Sequence, residues 1–262
     1  MQPIAAQFYT GLVAEAYAPL RSHAAPAEPY ARFVRRFGGP ALELGCGHGE
    51  PLLDLVAAGL DVAGLDSSAD MLALCRDDAD RRGLRVELVC QAMEQMDLGR
   101  RFRSIYLAGP TFQLVVDPTD ALHALQRIAS HLTPDGRVMV PLFVPQATEP
   151  ATFGVWREHV TAAGATLAVS VTGESYRADE RRVDTTLRYR RGPADRPTEV
   201  VERVWSLRWY GGGEFEAMAA VADLAVERVL DHGPFGRTFI LRASSAPTVT
   251  GAHRDATASP NA

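Results

Sequence analysis

At 262 residues and a formal charge of -5, the chain is long enough for one large domain, or one domain carrying a sub-domain. The acidic balance argues against nucleic acid as the main partner. Arginine fills all 27 of the Lys/Arg positions, which excludes a Walker A phosphate loop and a lysine Schiff base and suggests a GC-rich bacterial genome. No apolar run approaches the roughly 20 residues that cross a bilayer, and Met1 to Gln7 carries no basic signal stretch. Cys46, Cys75 and Cys90 lack C-x-x-C spacing. A reduced, cytoplasmic protein away from membranes is expected.

In chain order, Phe8, Tyr9 and Tyr17 fall in a mildly amphipathic stretch that predicts a helix from about Ala5 to Ala18. A second helix, Glu28 to Phe37, leads through Gly38-Gly39-Pro40 into a short strand, Ala41-Leu42-Glu43-Leu44. The strand enters Gly45-Cys46-Gly47-His48-Gly49, with a glycine at every second position. Glycines there remove side chains that would hold a ligand off the backbone, and they permit dihedrals closed to other residues. Pro51 sits where the next helix begins, a place that needs no backbone N–H. The start of that helix offers unpaired N–H groups and a partial positive charge. Asp61 to Asp66 then reads as a buried strand ending on a carboxylate. In doubly wound sheets an acid at that place accepts hydrogen bonds from ribose hydroxyls, so a nucleoside cofactor is expected.

Ser67 or Ser68 caps a helix from Ala69 to Arg82, which Gly83 ends. A third strand, Arg85 to Gln91, turns at Ala92-Met93-Glu94, and a fourth, Arg103 to Ala108, runs into Gly109-Pro110-Thr111-Phe112-Gln113. The helix Asp120 to Leu132 carries a 3.6-period apolar stripe, with His123 beside it, and a fifth strand spans Arg137 to Val144. After Gln146 the alternation of helix and strand gives way to three half-buried strands around Leu167–Val171, Val183–Tyr189 and Val201–Trp209. A helix after Trp156 carries His159, and the arginines between 181 and 208 form a solvated face. Glu214 to Ala222 is a short helix; Ala225–Leu230 and Arg237–Leu241 form a hairpin that supplies the last two strands of the main sheet. From Ser244 the chain is small, polar and aperiodic, and disorder is expected.

The spacing Glu43-x-Gly45-x-Gly47-x-Gly49 resembles motif I of the class I S-adenosylmethionine (SAM) dependent methyltransferases, and His131-Leu132-x-Pro134-x-Gly136 before the fifth strand is frequent in the same family. The resemblance covers Ala41 to Pro145. It implies an α/β fold with a Rossmann-like, seven-stranded, doubly wound sheet whose last strand is antiparallel, here with an inserted antiparallel β cover. The expected organisation is lid helices at 1–39, a SAM-binding core at 40–145, the cover at 146–212, a return to the core sheet at 213–243, and the tail at 244–262.

The resemblance also assigns a site. Glu43, Gly45, Cys46 and Gly47, at the glycine turn, hold the methionyl portion of SAM, Asp66 holds the ribose, Ser67 beside it also contacts the cofactor, and Met71 packs on the adenine. The Ala92-Met93 corner meets the base, and Ala108 at the exit of the fourth strand faces the transferred methyl. Tyr9 and Tyr17 resemble a lid over SAM. One departure stands out. Relatives often carry Asp-Met or Asp-Ala at the corner, with the Asp accepting from the adenine amino group, which Ala92 cannot do. Either the Met93 N–H alone reads the base, or Gln91 or Glu94 substitutes.

A sulfonium methyl is already activated, so the protein's work is to align a nucleophile and exclude water. No metal is expected, since no His/Asp/Glu cluster has ligand spacing and His48-Gly49-Glu50 reads as local capping. An oxygen nucleophile or a protonated amine needs a general base, for which Tyr9, Tyr17, His232 and His159 are candidates; a neutral amine needs none. The chain therefore reads as a methyltransferase acting on N or O, or on carbon of an electron-rich ring, of a small molecule. It resembles the tailoring enzymes of bacterial secondary metabolism, amino-sugar N-methyltransferases among them. A SAM fold with non-methylating chemistry and an NAD(P)-dependent oxidoreductase are the alternatives, the latter disfavoured by the G-x-G-x-G spacing. A homodimer through the β cover is a further expectation.

Overall fold

The computed structural model describes residues 4–21, 26–233 and 236–244; the tail after Ser244 lies outside them. The innermost strand, β1 (Ala41–Leu44), is buried at all of its positions, which is why it is short and nearly all apolar. It pairs in parallel with β2 (Val62–Asp66) on one side and β4 (Phe102–Leu107) on the other. Strand β3 (Leu88–Cys90) adds to β2 and β5 (Leu132–Phe143) to β4, both parallel. The C-terminal hairpin, β10 (Leu224–Asp231) and β11 (Gly236–Ala243), completes the sheet, with β11 antiparallel to β5. The order is β10-β11-β5-β4-β1-β2-β3.

Side chains alternate across β1, so each face collects its own helices. Leu42 and Leu44 pack with Ala121, Leu125 and Ile128 of one helix and with Phe215 of another. These helices are named with the rest in chain order: α1 (Ile4–Phe8), α2 (Leu12–Leu20), α3 (Glu28–Phe37), α4 (Leu52–Ala57), α5 (Ala69–Arg81), α6 (Pro118–Ser130) and α7 (Glu214–Val221). The opposite face buries Ala41 and Val62 under Tyr30, Phe33 and Val34 of α3, Leu52 and Leu55 of α4, and Leu72 and Cys75 of α5. Each fully buried leucine of these layers contributes about 1.5–3 kcal/mol. The expected cap is in place, Ser68 accepting from the Met71 N–H at the head of α5, and a second, not foreseen, is Asp117, which accepts from the Thr119 and Asp120 N–H groups at the head of α6.

A second sheet stands apart, in the order β6 (Trp156–Val160), β7 (Thr166–Arg177), β8 (Arg182–Arg191) and β9 (Glu199–Arg208), antiparallel throughout. One face receives α1 and α2: Phe8, Leu12, Val13 and Ala16 pack on Leu167, Val169 and Tyr189. Gln113 joins the two sheets. Fully buried, it donates to the Phe143 and Arg208 carbonyls at 2.9 and 3.0 Å and accepts from the Phe143 N–H at 2.9 Å.

Four expectations change. The N-terminal helix is two helices, because Gly11 between them takes φ +53 and gives its N–H to Asp70 of α5 at 2.7 Å instead of to a helical carbonyl. The segment after Trp156 is an edge strand, not a helix: Trp156 pairs opposite Ser170, its ring lies 4.9 Å from the Arg190 guanidinium, and the cover has four strands instead of three. The third core strand spans only Leu88–Cys90 of the expected Arg85 to Gln91. The fifth begins earlier, at Leu132, across the stretch expected to turn, with a register shift before Arg137. The arginines of the cover do mix with carboxylates, as Arg188 with Glu202 and Arg177 with Asp184. Arg190 is the exception, buried to 5% exposure against Trp156 and Glu158.

Candidate active site

The floor of the site is backbone. At the end of β1 the Gly45 and Cys46 N–H groups both donate to the Leu65 carbonyl, at 2.7 and 3.0 Å, which turns the chain across the sheet end. The Gly47 N–H donates to one Asp66 oxygen at 2.8 Å and the Ser68 N–H to the other at 2.8 Å. The carboxyl group is thus fixed at both ends. Burial pushes its pKa up, opposed by those same N–H groups.

The glycines of the turn serve different purposes. A Cβ on Gly45, at φ +69, would overlap the Thr111 methyl, and one on Gly49 would meet Leu53 and the Cys75 sulfur at 2.8 Å. A Cβ on Gly47, at φ +55, would meet only the flexible end of Met71, 3.2 Å away. Gly45 and Gly49 are therefore required by packing, while Gly47 is the one whose missing side chain leaves room above the turn.

Above this floor opens a cleft. Gly45, Gly47, Asp66 and Ser67 line its base; Met71, Gln91, Ala92 and Met93 form one wall. Ala108, Pro110, Thr111 and Leu114, at the exit of β4, form another. Tyr9 and Tyr17 close the top, and Glu94, Asp117 and Asp120 bring carboxylates to the sides. No cationic side chain lines it among the described residues.

The two tyrosines are held by what surrounds them. Their rings meet edge to face at 5.4 Å, and the Tyr9 hydroxyl accepts from the Trp205 indole N–H at 3.3 Å. The Tyr9 carbonyl takes the Ser68 hydroxyl at 2.5 Å, tying the N-terminal segment to the head of α5. Arg21 pairs with Glu50 of the glycine turn and lies 5.9 Å from the Tyr17 ring. Glu15 of α2 pairs with Arg191 of β8. Burial raises both phenol pKa values above their ordinary range, with Arg21 opposing the shift at Tyr17. His48, 5.5 Å from Tyr17, is pushed down by burial and then by Arg21. Among the described residues no group of three or more His, Cys, Asp or Glu could hold a metal.

Ten of the expected site residues line this cleft: Tyr9, Tyr17, Gly45, Gly47, Asp66 and Ser67, with Met71, Ala92, Met93 and Ala108. Glu43, Cys46 and His232 do not. Glu43 points to the α3 side of the sheet, fully buried. It accepts from the Tyr106 hydroxyl at 2.8 Å through one oxygen, and the other has no partner. Burial pushes its pKa up to about 8. Cys46 is 1% exposed, and burial pushes its thiol well up. His232 follows β10 on the expected side of the sheet, but β10 is the far edge, four strands from β1 and so roughly 19 Å away. It is exposed and its Nε2 is 3.0 Å from the Thr238 hydroxyl. His159 lies exposed on the edge strand β6.

Sequence reasoning missed Leu114, Asp117 and Asp120. A signal was present: Asp117-Pro118-Thr119-Asp120 is a helix start directly after the exit of β4. Asp117 and Asp120 therefore sit at the carboxyl end of the sheet, where open α/β folds bind ligands.

Residues 41–136 match the family described as methyltransferase domain. Over 238 residues the chain is 29% identical to a dTDP-3-amino-3,6-dideoxy-alpha-D-glucopyranose N,N-dimethyltransferase of Streptomyces fradiae, covering 87% of this chain and 89% of that protein. Its fold is similar to that of a SAM-dependent methyltransferase from Clostridium acetobutylicum (TM-score 0.67, 14% identity, 88% of this chain and 98% of that one). It is also similar to a sugar N-methyltransferase from Streptoalloteichus (TM-score 0.65, 23% identity, 86% and 89%). A SAM-bound amino pentose methyltransferase from Micromonospora echinaspora, involved in calicheamicin biosynthesis, gives a TM-score of 0.61 at 22% identity, over 90% and 98%. The glycine turn, Asp66, the Ala92-Met93 corner and Asp117 all fall inside the residues that match a methyltransferase domain, and the chain as a whole is similar to a sugar N,N-dimethyltransferase and shares the fold of SAM-dependent methyltransferases.

Proposed function

We propose that the chain methylates the amino nitrogen of a small molecule, an amino sugar carried on a nucleotide in the manner named for the Streptomyces fradiae relative. The observation that carries this reading is the acid–base content of the cleft. Its phenols are shifted away from serving as bases at neutral pH, and His232 and His159 lie outside it. What remains are carboxylates. An alcohol acceptor needs a base able to take its proton as the bond forms, whereas a neutral amine attacks with its own lone pair. Asp117 and Asp120 at the cleft side suit an amine: an ammonium must shed one proton to free its lone pair, and once the methyl has moved the carboxylates balance the positive charge of the alkylammonium that forms.

The residues present fit SAM. Gly47 leaves room for a ligand against bare peptide, and Asp66 keeps lone pairs beyond the two N–H groups it already accepts, since a carboxylate offers about four acceptor sites. In this reading Gly45 and Gly47 hold the methionyl end, Asp66 and Ser67 the ribose, and Met71 and Met93 enclose the base. Glu43 and Cys46 support the turn from beneath. When bound, SAM supplies a methyl group already activated by the sulfonium charge. Tyr9 and Tyr17, on the lid formed by α1, α2 and the turn between them, exclude water from above. The cover, 146–212, anchors that lid and offers its outer face, with Val200 and Val204 exposed, for a homodimer.

The test is incubation with SAM and a dTDP-linked 3-amino sugar beside its 3-hydroxy counterpart, read by mass. One or two methyl groups on the amine alone are expected. Methylation of the hydroxy compound, or of neither, overturns the assignment to nitrogen.

A further inference from the structure

We infer that Glu94 replaces the carboxylate that Ala92 lacks and accepts from the exocyclic amino group of the donor's adenine; this rests on SAM being the donor. The wall concerned begins where β3 ends. The Gln91 N–H is tied to the Asp66 carbonyl at 3.0 Å, and the chain then enters a single 3-10 turn, Met93–Gln95, closed by the Gln95 N–H on the Ala92 carbonyl at 3.0 Å. The first N–H of such a turn has no partner within it. Met93 therefore keeps a donor for a ring nitrogen. An adenine edge also presents an amino group, and that needs an acceptor.

Beside Met71 and Met93, the side chains of Gln91, Ala92 and Glu94 line the cleft at this wall. Ala92 has only a methyl group. The Gln91 oxygen accepts from the Asp97 backbone N–H at 3.0 Å. Because a backbone N–H only donates, the amide oxygen is fixed towards Asp97, and the end left over is NH2, a donor facing a donor. Glu94 is the remaining candidate. Its carboxyl group is half-buried and forms no ion pair among the described residues, and the donor acting on it is its own backbone N–H. Burial pushes its pKa up, and Asp120 across the cleft adds repulsion. A half-buried carboxylate with so few donors gains most from a ligand that brings one. Its rival is the adjoining cavity, which Glu94 shares with His123 and Arg127 of α6.

The experiment is calorimetry of S-adenosylhomocysteine against its 6-deamino (purine riboside) analogue, in which hydrogen replaces the amino group and the ring nitrogens stay acceptors. The wild-type chain is expected to prefer the adenosyl compound by about 10- to 100-fold, the scale of a hydrogen bond to a charged group. Glu94→Ala should bring the two within about threefold, and adding Ala92→Asp to that variant should restore the preference. Glu94→Gln, which offers both a donor and an acceptor, should narrow the preference at an unchanged melting temperature. A Glu94→Ala variant that keeps the full preference overturns the inference, and means the carboxylate has turned to Arg127. Failure of the wild-type chain to bind either compound overturns the donor reading, and this inference with it.

Discussion

The two sides of the cleft are built by different means. Its floor is main chain and one carboxylate, drawn from residues 45–68 and fixed by hydrogen bonds of 2.7 to 3.0 Å. Its roof is aromatic side chains whose partners lie far along the chain: Tyr9 meets Trp205 across 196 residues, and Glu15 meets Arg191 across 176. A backbone floor has one geometry and tolerates little change. A side-chain roof can be altered piece by piece, and in the proposed reading this is the side that faces the acceptor.

The sharpest way to break the comparison is at the glycines. Gly45→Ala should destabilise the protein by about 2–4 kcal/mol, combining the left-handed backbone with overlap on Thr111. Gly47→Ala carries the backbone strain alone, about 1–2 kcal/mol, yet should be the variant that loses donor affinity. Thermal melting and calorimetry on the pair decide it. Equal melting temperatures would mean that the two glycines do not divide the work.

Beneath the floor, Glu43 supplies a pH test. Its folded pKa of about 8 lies above the ordinary 4.5, so the folded state holds the proton more tightly than the unfolded chain. The stability this gives is complete below about pH 4.5 and is lost as pH rises through about 8. Glu43→Gln, which cannot ionise, should escape that loss. It should melt roughly 5–10 °C higher than wild type at pH 8.5, and the gap should close by pH 5. A gap independent of pH would mean that Glu43 is ionised throughout.

Asp66→Ala should weaken donor binding by about 10- to 100-fold, the cost of losing charge-assisted hydrogen bonds. The same carboxylate also anchors the Gly47 and Ser68 N–H groups, so some loss of melting temperature accompanies it. Unchanged affinity for S-adenosylhomocysteine would remove Asp66 from the ribose.

The same division explains what could be read in the sequence. The floor was legible because its signals are local: glycines at every second position, a strand ending on Asp66, Ser68 heading a helix. The seven-stranded sheet and its antiparallel β11 were implied by the family resemblance, and the order of the strands has no local signal. Local patterns could not tell that Glu43 and Cys46, inside the motif, face away from the cleft, since a one-residue step along a strand changes the face. His232 was placed on the correct end of the sheet but not at its distance, which depends on strand order. The segment after Trp156, with His159, reads as helix because its strand is stabilised from outside, by Arg190 stacking on the Trp156 ring. The break at Gly11 likewise depends on Asp70, 59 residues away.

The smallest effect belongs to the roof. Glu15 and Arg191 form a bidentate pair, but their side chains are 40% and 32% exposed, so water and salt screen most of it and its worth is at most about 1 kcal/mol. Arg191→Gln should leave the melting temperature within a few degrees and the donor affinity within about twofold. The lid that carries Tyr9 and Tyr17 would nonetheless be held less firmly, so the KM for acceptor should rise about two- to fivefold at low salt. The difference from wild type should vanish near 1 M salt, where the Debye length falls to about 3 Å and the wild-type pair is screened as well. A KM difference that persists at high salt would show that Arg191 acts by packing instead of charge. A change in donor affinity as large as that of Asp66→Ala would show that floor and roof are one unit.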